Sequence, residues 1–417
     1  MRLSRVSVGC VVVACSSRLW HGMSFRLVHV LSTAENCSSR GFSSHSRLLL
    51  WDKQHVISVT RRTRSPRRTG RDRRGRTNSP MSFGTGLRVG EGSSGGDGSV
   101  GAGARVMKVI YDEFFLKHRP PPGHPHPECP ARVSTARAVL EGLEGVEWAT
   151  PSSLQPQGDK AGTLAAIERV HKLEYLDELR RVCAKGGGAA DSGTYICPDT
   201  FEVCVAASSA WMDAVESASR GSPAFALARP PGHHATASVG MGFCLVCFAA
   251  IAAYHAVETL GCRRVAMLDF DVHHGNGVAA LVKGDERIRY CSIHQGGIFP
   301  GSGDAEDSGP TGNLKHLPFF GVGETWDTYE PRFEEGLCWL QAFEPDLVIV
   351  SAGYDALEAD ELATASLRPE DYGRMGKRLE EVFGGKVAFG LEGGYNLQVT
   401  PSAIRETIRP FLAAGGE

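Results

Sequence analysis

The stretch LDFDVHHGNG, Leu268 to Gly277, crowds two acids and two histidines into six residues, after the apolar VAM and before glycines. Buried charge is costly unless it is paired or bound to metal. Asp271 and His273 stand two apart on an extended segment leaving a predicted strand, so their side chains can face one side. Asp355, in SAGYDA, leaves the end of another predicted strand. Two carboxylates and one imidazole make a mixed oxygen–nitrogen set with a coordination position left open, the arrangement of catalytic zinc. Taken singly, each has a plainer reading: DVHH as a self-satisfied loop cluster, Asp355 as a helix N-cap. Only the combination favours a metal.

His233 and His234 lie in RPPGHHA, where Pro230, Pro231 and Gly232 hold a tight turn. A histidine pair alone can be a bland surface feature. Beside a metal, one imidazole can take a proton from bound water and return it to a leaving amine. Such histidines need a partner on the other ring nitrogen, and Asp269 and Asn276 flank the ligands, free to supply it. Tyr395, in LEGGYN, follows two glycines that let its phenol approach a neighbouring backbone. It reads either as a core tyrosine or as a donor to a developing oxyanion.

What must position these groups is a parallel sheet. Residues 107–111, 224–229, 263–270, 288–294, 346–353 and 386–394 are short apolar runs ending in Gly or a polar cluster, the pattern of buried strands. Helical patterns fill the intervals at 133–143, 163–181, 200–219, 243–260, 324–342 and 369–383. The alternation predicts an α/β fold, a mostly parallel central sheet with helices on both faces. RPPGHH, DVHHGNG, HQGGIFPGSG, GYDA and EGGYN all follow the carboxyl end of a predicted strand. Ligand sites of such sheets form from those loops.

The chain of 417 residues is nearly neutral, at −2, but unevenly so. Its first 80 residues hold sixteen basic residues, fifteen of them Arg, against Glu35, Asp52 and Asp72, so the remainder carries about −15. An acidic body is unlike a phosphate-binding or nucleic-acid-binding surface. Residues 1–80 have the Arg- and Ser-rich composition of an organellar transit peptide for mitochondrion or plastid. The basic start with its short apolar run also reads as a secretory signal, and a start at Met81 or Met107 would give a nuclear or cytoplasmic protein. Residues 81–105 read as a Gly/Ser linker, leaving 106–417 as the folded body. No run is long enough to span a membrane. The twelve cysteines form no framework, and Cys244 and Cys247 lie in an apolar run without a second pair, so buried thiols are expected rather than disulfides or a zinc knuckle.

RPPGHHA, LDFDVHHGNG, SAGYDA and LEGGYN, in this order, resemble the zinc-dependent histone deacetylase and acetylpolyamine amidohydrolase superfamily. HPECPAR (126–132), VHKLEYL (170–176) and FPGSG (299–303) extend the match across the body, and the Asn of HHGNG and Glu of LEGGYN favour its class II-like branch. The resemblance implies a single-domain, three-layer arginase/deacetylase-like fold. It implies one catalytic Zn2+ on Asp271, His273 and Asp355, with Asp269 supporting His233 and Asn276 supporting His234. An Asn partner adds no charge, so His234 should stay neutral and act as base, then acid, with His233 as electrostatic support. Tyr395 would bind the carbonyl oxygen. Phe243, Phe299 and Gly242 would line an acyl-lysine tunnel, with Leu362 at its rim and Arg132 below near an acetate exit. A structural K+ held by the Asp269–His273 loop and Ser292 is also typical. His274 receives no role. The implied substrates are acetylated protein lysines, with acetylated polyamines or other small amides as the alternative and an inactive acyl-lysine-binding module behind them. The resemblance gives no oligomeric state. The compact HQGGIFPGSG loop and KHLPFF, which replaces the commoner NVPLP, depart from many relatives and bear on the rim.

Overall fold

The computed structural model describes residues 106–412 and, ahead of them, four short strand segments. Those segments pair antiparallel in twos, Ala14–Cys15 with Leu27–Val28 and Leu48–Trp51 with Val56–Val59. The expectations of a leader and a linker over 1–105 otherwise lie outside the described residues.

The body forms one eight-stranded sheet, six of its strands from the apolar runs. Its strands are β1 Met107–Ile110, β2 Val146–Ala149, β3 Ala224–Ala226, β4 Val265–Asp269, β5 Ile288–Gln295, β6 Leu314–Phe319, β7 Leu347–Ala352 and β8 Val387–Leu391. Their spatial order is β6-β5-β4-β7-β8-β3-β1-β2, and every neighbouring pair is parallel. The central strands β4, β7 and β8 are buried at every position, as helices on both faces demand.

Nine helices surround the sheet among the described residues: α1 Ala131–Leu140, α2 Lys160–Val170, α3 Leu173–Ala184, α4 Thr200–Ser219, α5 Phe248–Glu258, α6 Asn276–Val282, α7 Trp326–Gln341, α8 Pro369–Phe383 and α9 Thr400–Ile408. One layer is built on α4 and α5, which pack on the central strands; α7 and α8, with α9 and α1, form the other. The small residues Ala206 to Ala210 let α4 approach closely, and Trp211 lies where a Cβ on Gly390 of β8 would collide with it. Among the described residues no helix is long and apolar enough to cross a membrane.

The structure corrects the element boundaries where tertiary hydrogen bonds override helical pattern. The single helix expected over 163–181 is two, because His171 and Lys172 are extended. His171 Nε2 accepts the Cys247 N–H at 2.9 Å, and the Lys172 N–H donates to Ala237 O at 2.8 Å. The helix expected from Phe243 begins at Phe248, since Gly242 and Phe243 both have positive φ, 57° and 69°. Strands β2 and β6 had no continuous apolar run to announce them: both lie at sheet edges, half-buried, and β6 carries Pro318, which an edge tolerates.

Candidate metal centre and active site

Adjacent strands bring the two carboxylates together. β4 and β7 pair with Asp269 opposite Ser351, so the segments running on from them set Asp271 and Asp355 beside each other. Asp271, His273 and Asp355 each present a ligand atom within 4.8 Å of the others. His273 Nδ1 lies 3.2 Å from Asp271 Oδ1 and 3.0 Å from Asp355 Oδ2. Backbone donors fix both acids: Gly393 N–H to Asp271 Oδ2 at 2.8 Å, Val272 N–H to Asp355 Oδ1 at 2.9 Å. A Cβ on Gly393 would come 2.5 Å from Asp271 Oδ2 and against Asp355, so glycine keeps the cradle open. Burial, then the Asp271 charge, pushes Asp355 up to about 7. Burial opposes charge on His273, but its hydrogen bonds to Asp271 and Asp355 win and lift it to about 10. Such a crowded set of hard and borderline donors fits one small divalent cation, whose charge offsets the two carboxylates.

The tandem histidines differ in partner, hence in charge. His233 Nδ1 lies 3.1 Å from Asp269 Oδ2, which also accepts the Tyr290 hydroxyl at 2.7 Å. His233 Nε2 is 3.7 Å from Asp271 Oδ1. Burial disfavours charge here, yet Asp271, Asp269 and Glu392 outweigh it and hold His233 well above the usual imidazole range. His234 Nδ1 meets Asn276 Oδ1 at 2.8 Å. The Asn276 amide is oriented by its other end, which donates to His234 O and Met241 Sδ. Its oxygen can only accept, so Nδ1 carries the proton and Nε2 is left with a lone pair. Burial, then the His233 and His273 charges, holds His234 well below the usual range. The two imidazoles lie 4.0 Å apart centroid to centroid, His233 shifted toward its charged form and His234 toward its neutral form.

The remaining predicted residues gather around this pair. Tyr395 stands edge-to-face with Phe243 at 5.5 Å, and Phe299 with His234 at 4.9 Å. Burial holds the Tyr395 phenol well above its ordinary range, so it remains a donor. A side chain on Gly242 would approach His234 Cδ2 to 2.6 Å and Phe299 Cε1 to 2.7 Å. Phe243, a bulky residue in the left-handed region, stores backbone strain beside this passage, its N–H held by Thr194 Oγ1 at 2.8 Å. Leu362 is exposed, and its N–H donates to Asp360 Oδ1 at 3.0 Å. Arg132 lies under the Tyr395 ring at 4.6 Å, donating to Gly394 O at 2.8 Å and to Glu392 O. Ser292 pairs with Asp269 in the sheet register and bonds His294 Nδ1 at 3.0 Å.

Several residues to which the sequence assigned no role in the site hold this arrangement. Glu392 is fully buried; its Oε2 accepts the N–H groups of Gly232 at 2.6 Å and His233 at 3.1 Å, tying the tandem turn to β8. Asp360 accepts the N–H of Tyr395 at 2.6 Å. Asp191 accepts those of Gly193, Thr194 and Gly242. Glu128 pairs with Arg229 at 2.6 Å and takes the Tyr195 hydroxyl at 2.8 Å beneath Arg132. His274 now has surroundings: Nδ1 meets Ser302 Oγ at 2.8 Å, and its ring packs on His294 and His316. It fastens the ligand segment to the loop that carries Phe299. A second convergence of possible ligands, His233, Cys244 and Glu392, is spoken for: His233 is held by Asp269, burial pushes the Cys244 thiol up, and Glu392 holds backbone N–H groups.

Parallel strands thus deliver two carboxylates, an imidazole and a tandem histidine pair to one sheet edge. Residues 126–410 match the family model described as the histone deacetylase domain. The chain is 42% identical over 312 residues to an uncharacterized protein of Synechocystis sp., covering 74% of this chain and all of that one. It is 38% identical over 316 residues to "Histone deacetylase 14, chloroplastic" of Arabidopsis thaliana, covering 69% and 73% of the two chains. The solved HDA15 HD domain superposes with a TM-score of 0.67 at 31% identity, over 73% of this chain and 90% of that one. An acetylpolyamine aminohydrolase from Burkholderia pseudomallei shares the fold, with a TM-score of 0.66 at 23% identity, over 73% and 98%. The chain belongs to the histone deacetylase family.

Proposed function

We propose that the protein is a zinc-dependent amidohydrolase that removes acetyl groups from N-acetyl-lysine in proteins, releasing acetate and the free amine. The observation that carries this reading is the unequal tandem pair beside a three-donor metal set: His233 on a carboxylate, His234 on an amide. Zinc bound by Asp271, His273 and Asp355 would supply Lewis acidity and a water acidified to near neutral pH. His234 Nε2, kept unprotonated, accepts the proton of the attacking water and returns it to the departing lysine amine. The charged His233 favours negative charge as it develops nearby. The Tyr395 hydroxyl donates to the carbonyl oxygen and stabilises the tetrahedral intermediate. Phe243, Phe299 and Gly242 hold the acyl-lysine chain and exclude water, with Leu362 at the rim. Arg132, below Tyr395, lies toward the acetate exit. The Asp269–His273 loop with Ser292 is the expected place for a structural potassium ion.

Two further parts of the reading concern address and substrate. The Arg-rich first 80 residues and the names of two chloroplastic plant relatives favour import into a plastid. A fluorescent fusion of residues 1–105 tests this; nuclear or cytoplasmic signal points instead to a start at Met81. Turnover of acetyl-lysine peptides and N-acetylpolyamines by the purified protein tests the substrate class. Acetate release from peptides at higher kcat/KM supports the proposal, whereas turnover of acetylpolyamines alone overturns it.

A further inference from the structure

Apolar side chains left in water gather at one edge of this fold. Eight large apolar residues are exposed among those described. Six of them, Val239, Phe299, Phe320, Val322, Leu362 and Leu397, lie in loops that follow the carboxyl ends of β3, β5, β6, β7 and β8. Scattered exposed hydrophobics need no explanation, but a concentration around the mouth of a binding site does.

Phe320 and Val322 stand out. They are 73% and 85% exposed. Their loop is fastened in place. Gln295, buried at the end of β5, donates through Nε2 to Gly321 O at 3.1 Å and Thr364 Oγ1 at 2.7 Å, and accepts the Thr364 N–H at 3.2 Å. The Gly323 N–H donates to Thr364 O at 2.6 Å. The Phe320 ring lies over Gly296, where an added Cβ would come 2.6 Å from Cζ. Gln295 thereby joins the Phe320–Val322 loop to the segment carrying Leu362, and Gly296 joins it to the loop carrying Phe299. The exposed rings and branches form a fixed shelf beside the mouth.

We propose that this shelf receives an apolar side chain of the polypeptide flanking the acyl-lysine, and so selects substrates by sequence. The proposal rests on the reading of the protein as a lysine deacetylase. A polypeptide whose lysine enters the passage must carry its neighbouring residues across the rim, where an apolar neighbour buries surface against Phe320 and Val322. A polyamine offers short methylene segments interrupted by ammonium groups there, and no apolar side chain. Of the acids on the Leu362 segment, Asp360 is committed to backbone N–H groups and Glu358 faces Arg368 at 3.9 Å; Glu361 is what remains for a cationic chain.

The test compares kcat/KM for a minimal acetyl-lysine amide and for acetyl-lysine peptides bearing Leu, Phe, Ser or Asp on either side of the lysine. In the wild type, apolar neighbours should raise kcat/KM at least about tenfold over Ser or Asp. In the F320S/V322S variant that preference should fall to within about twofold, while the minimal amide is turned over as by wild type. Equal kcat/KM for all flanks, with the minimal amide turned over, overturns the shelf and leaves the deacetylase reading standing. A wild-type preference that survives intact in the variant also overturns it. If no acyl-lysine substrate is turned over while an N-acetylpolyamine is, both readings fall together.

Discussion

Replacing Asn276 with Asp gives His234 the same kind of partner that His233 already has. The substitution sets a negative charge 2.8 Å from His234 Nδ1, in place of a neutral amide oxygen. At the roughly 4 Å between charge centres and an effective dielectric near 20, the attraction is about 4 kcal/mol, or about three pK units. Burial of the new carboxylate opposes part of this, leaving an upward shift of about one to two units. The sign is fixed by the role: a base with a raised pKa stays protonated, and therefore idle, to higher pH. The acid limb of kcat/KM should move up by about one to two pH units from its wild-type position. The assay is a pH–rate profile on an acetyl-lysine peptide, with metal content and Tm measured on the same preparation. N276A serves as the control, since it removes the orienting oxygen without adding charge; kcat should fall with no upward move of the limb. An N276D enzyme with full metal, normal Tm and an unmoved acid limb would refute His234 as the base.

Tyr395→Phe should lower kcat about 10²-fold or more, as for loss of an oxyanion donor, with metal content unchanged; unchanged turnover removes the phenol from the mechanism. Gly242→Ala puts a Cβ against His234 and Phe299 at a residue whose φ is already +57°, so kcat/KM should drop by about tenfold or more. Steady-state kinetics at wild-type levels would place the acyl chain elsewhere. Glu392→Ala leaves the buried N–H groups of Gly232 and His233 unpaired and should cost about 2–4 kcal/mol of stability in denaturant titration. Glu392→Gln keeps an acceptor for them and should restore most of that loss; equal stability of the two variants would contradict the tie between the tandem turn and β8.

What could be read from the sequence is what local chemistry announces. The central strands are continuous apolar runs, and each ends in a loop with its own polar signature, so Asp271, His273, Asp355, His233, His234 and Tyr395 are all legible in the sequence as candidates. The edge strands β2 and β6 were not, because a half-buried edge has no apolar run. The break at His171 depends on an N–H that Cys247 supplies from far along the chain. Glu392, Asp360 and Asp191 carry no site signal because each ties to the site through a backbone N–H from a distant segment, and the local N–H groups that Asp360 and Asp191 also accept read only as turns. His274 looked idle beside His273, and its role appears only when Ser302 and His294 fold back against it.

The central claim is that Asp271, His273 and Asp355 hold the zinc on which amide hydrolysis depends. Its most direct test measures bound zinc and acetate release on the same samples of wild type and Asp271→Ala, before and after chelation and zinc return. The account predicts one zinc per wild-type chain, activity that disappears on chelation and returns in proportion to zinc restored, and neither zinc nor turnover in the variant. Wild-type turnover indifferent to chelation, or an Asp271→Ala chain that still binds one zinc at wild-type affinity, would contradict it.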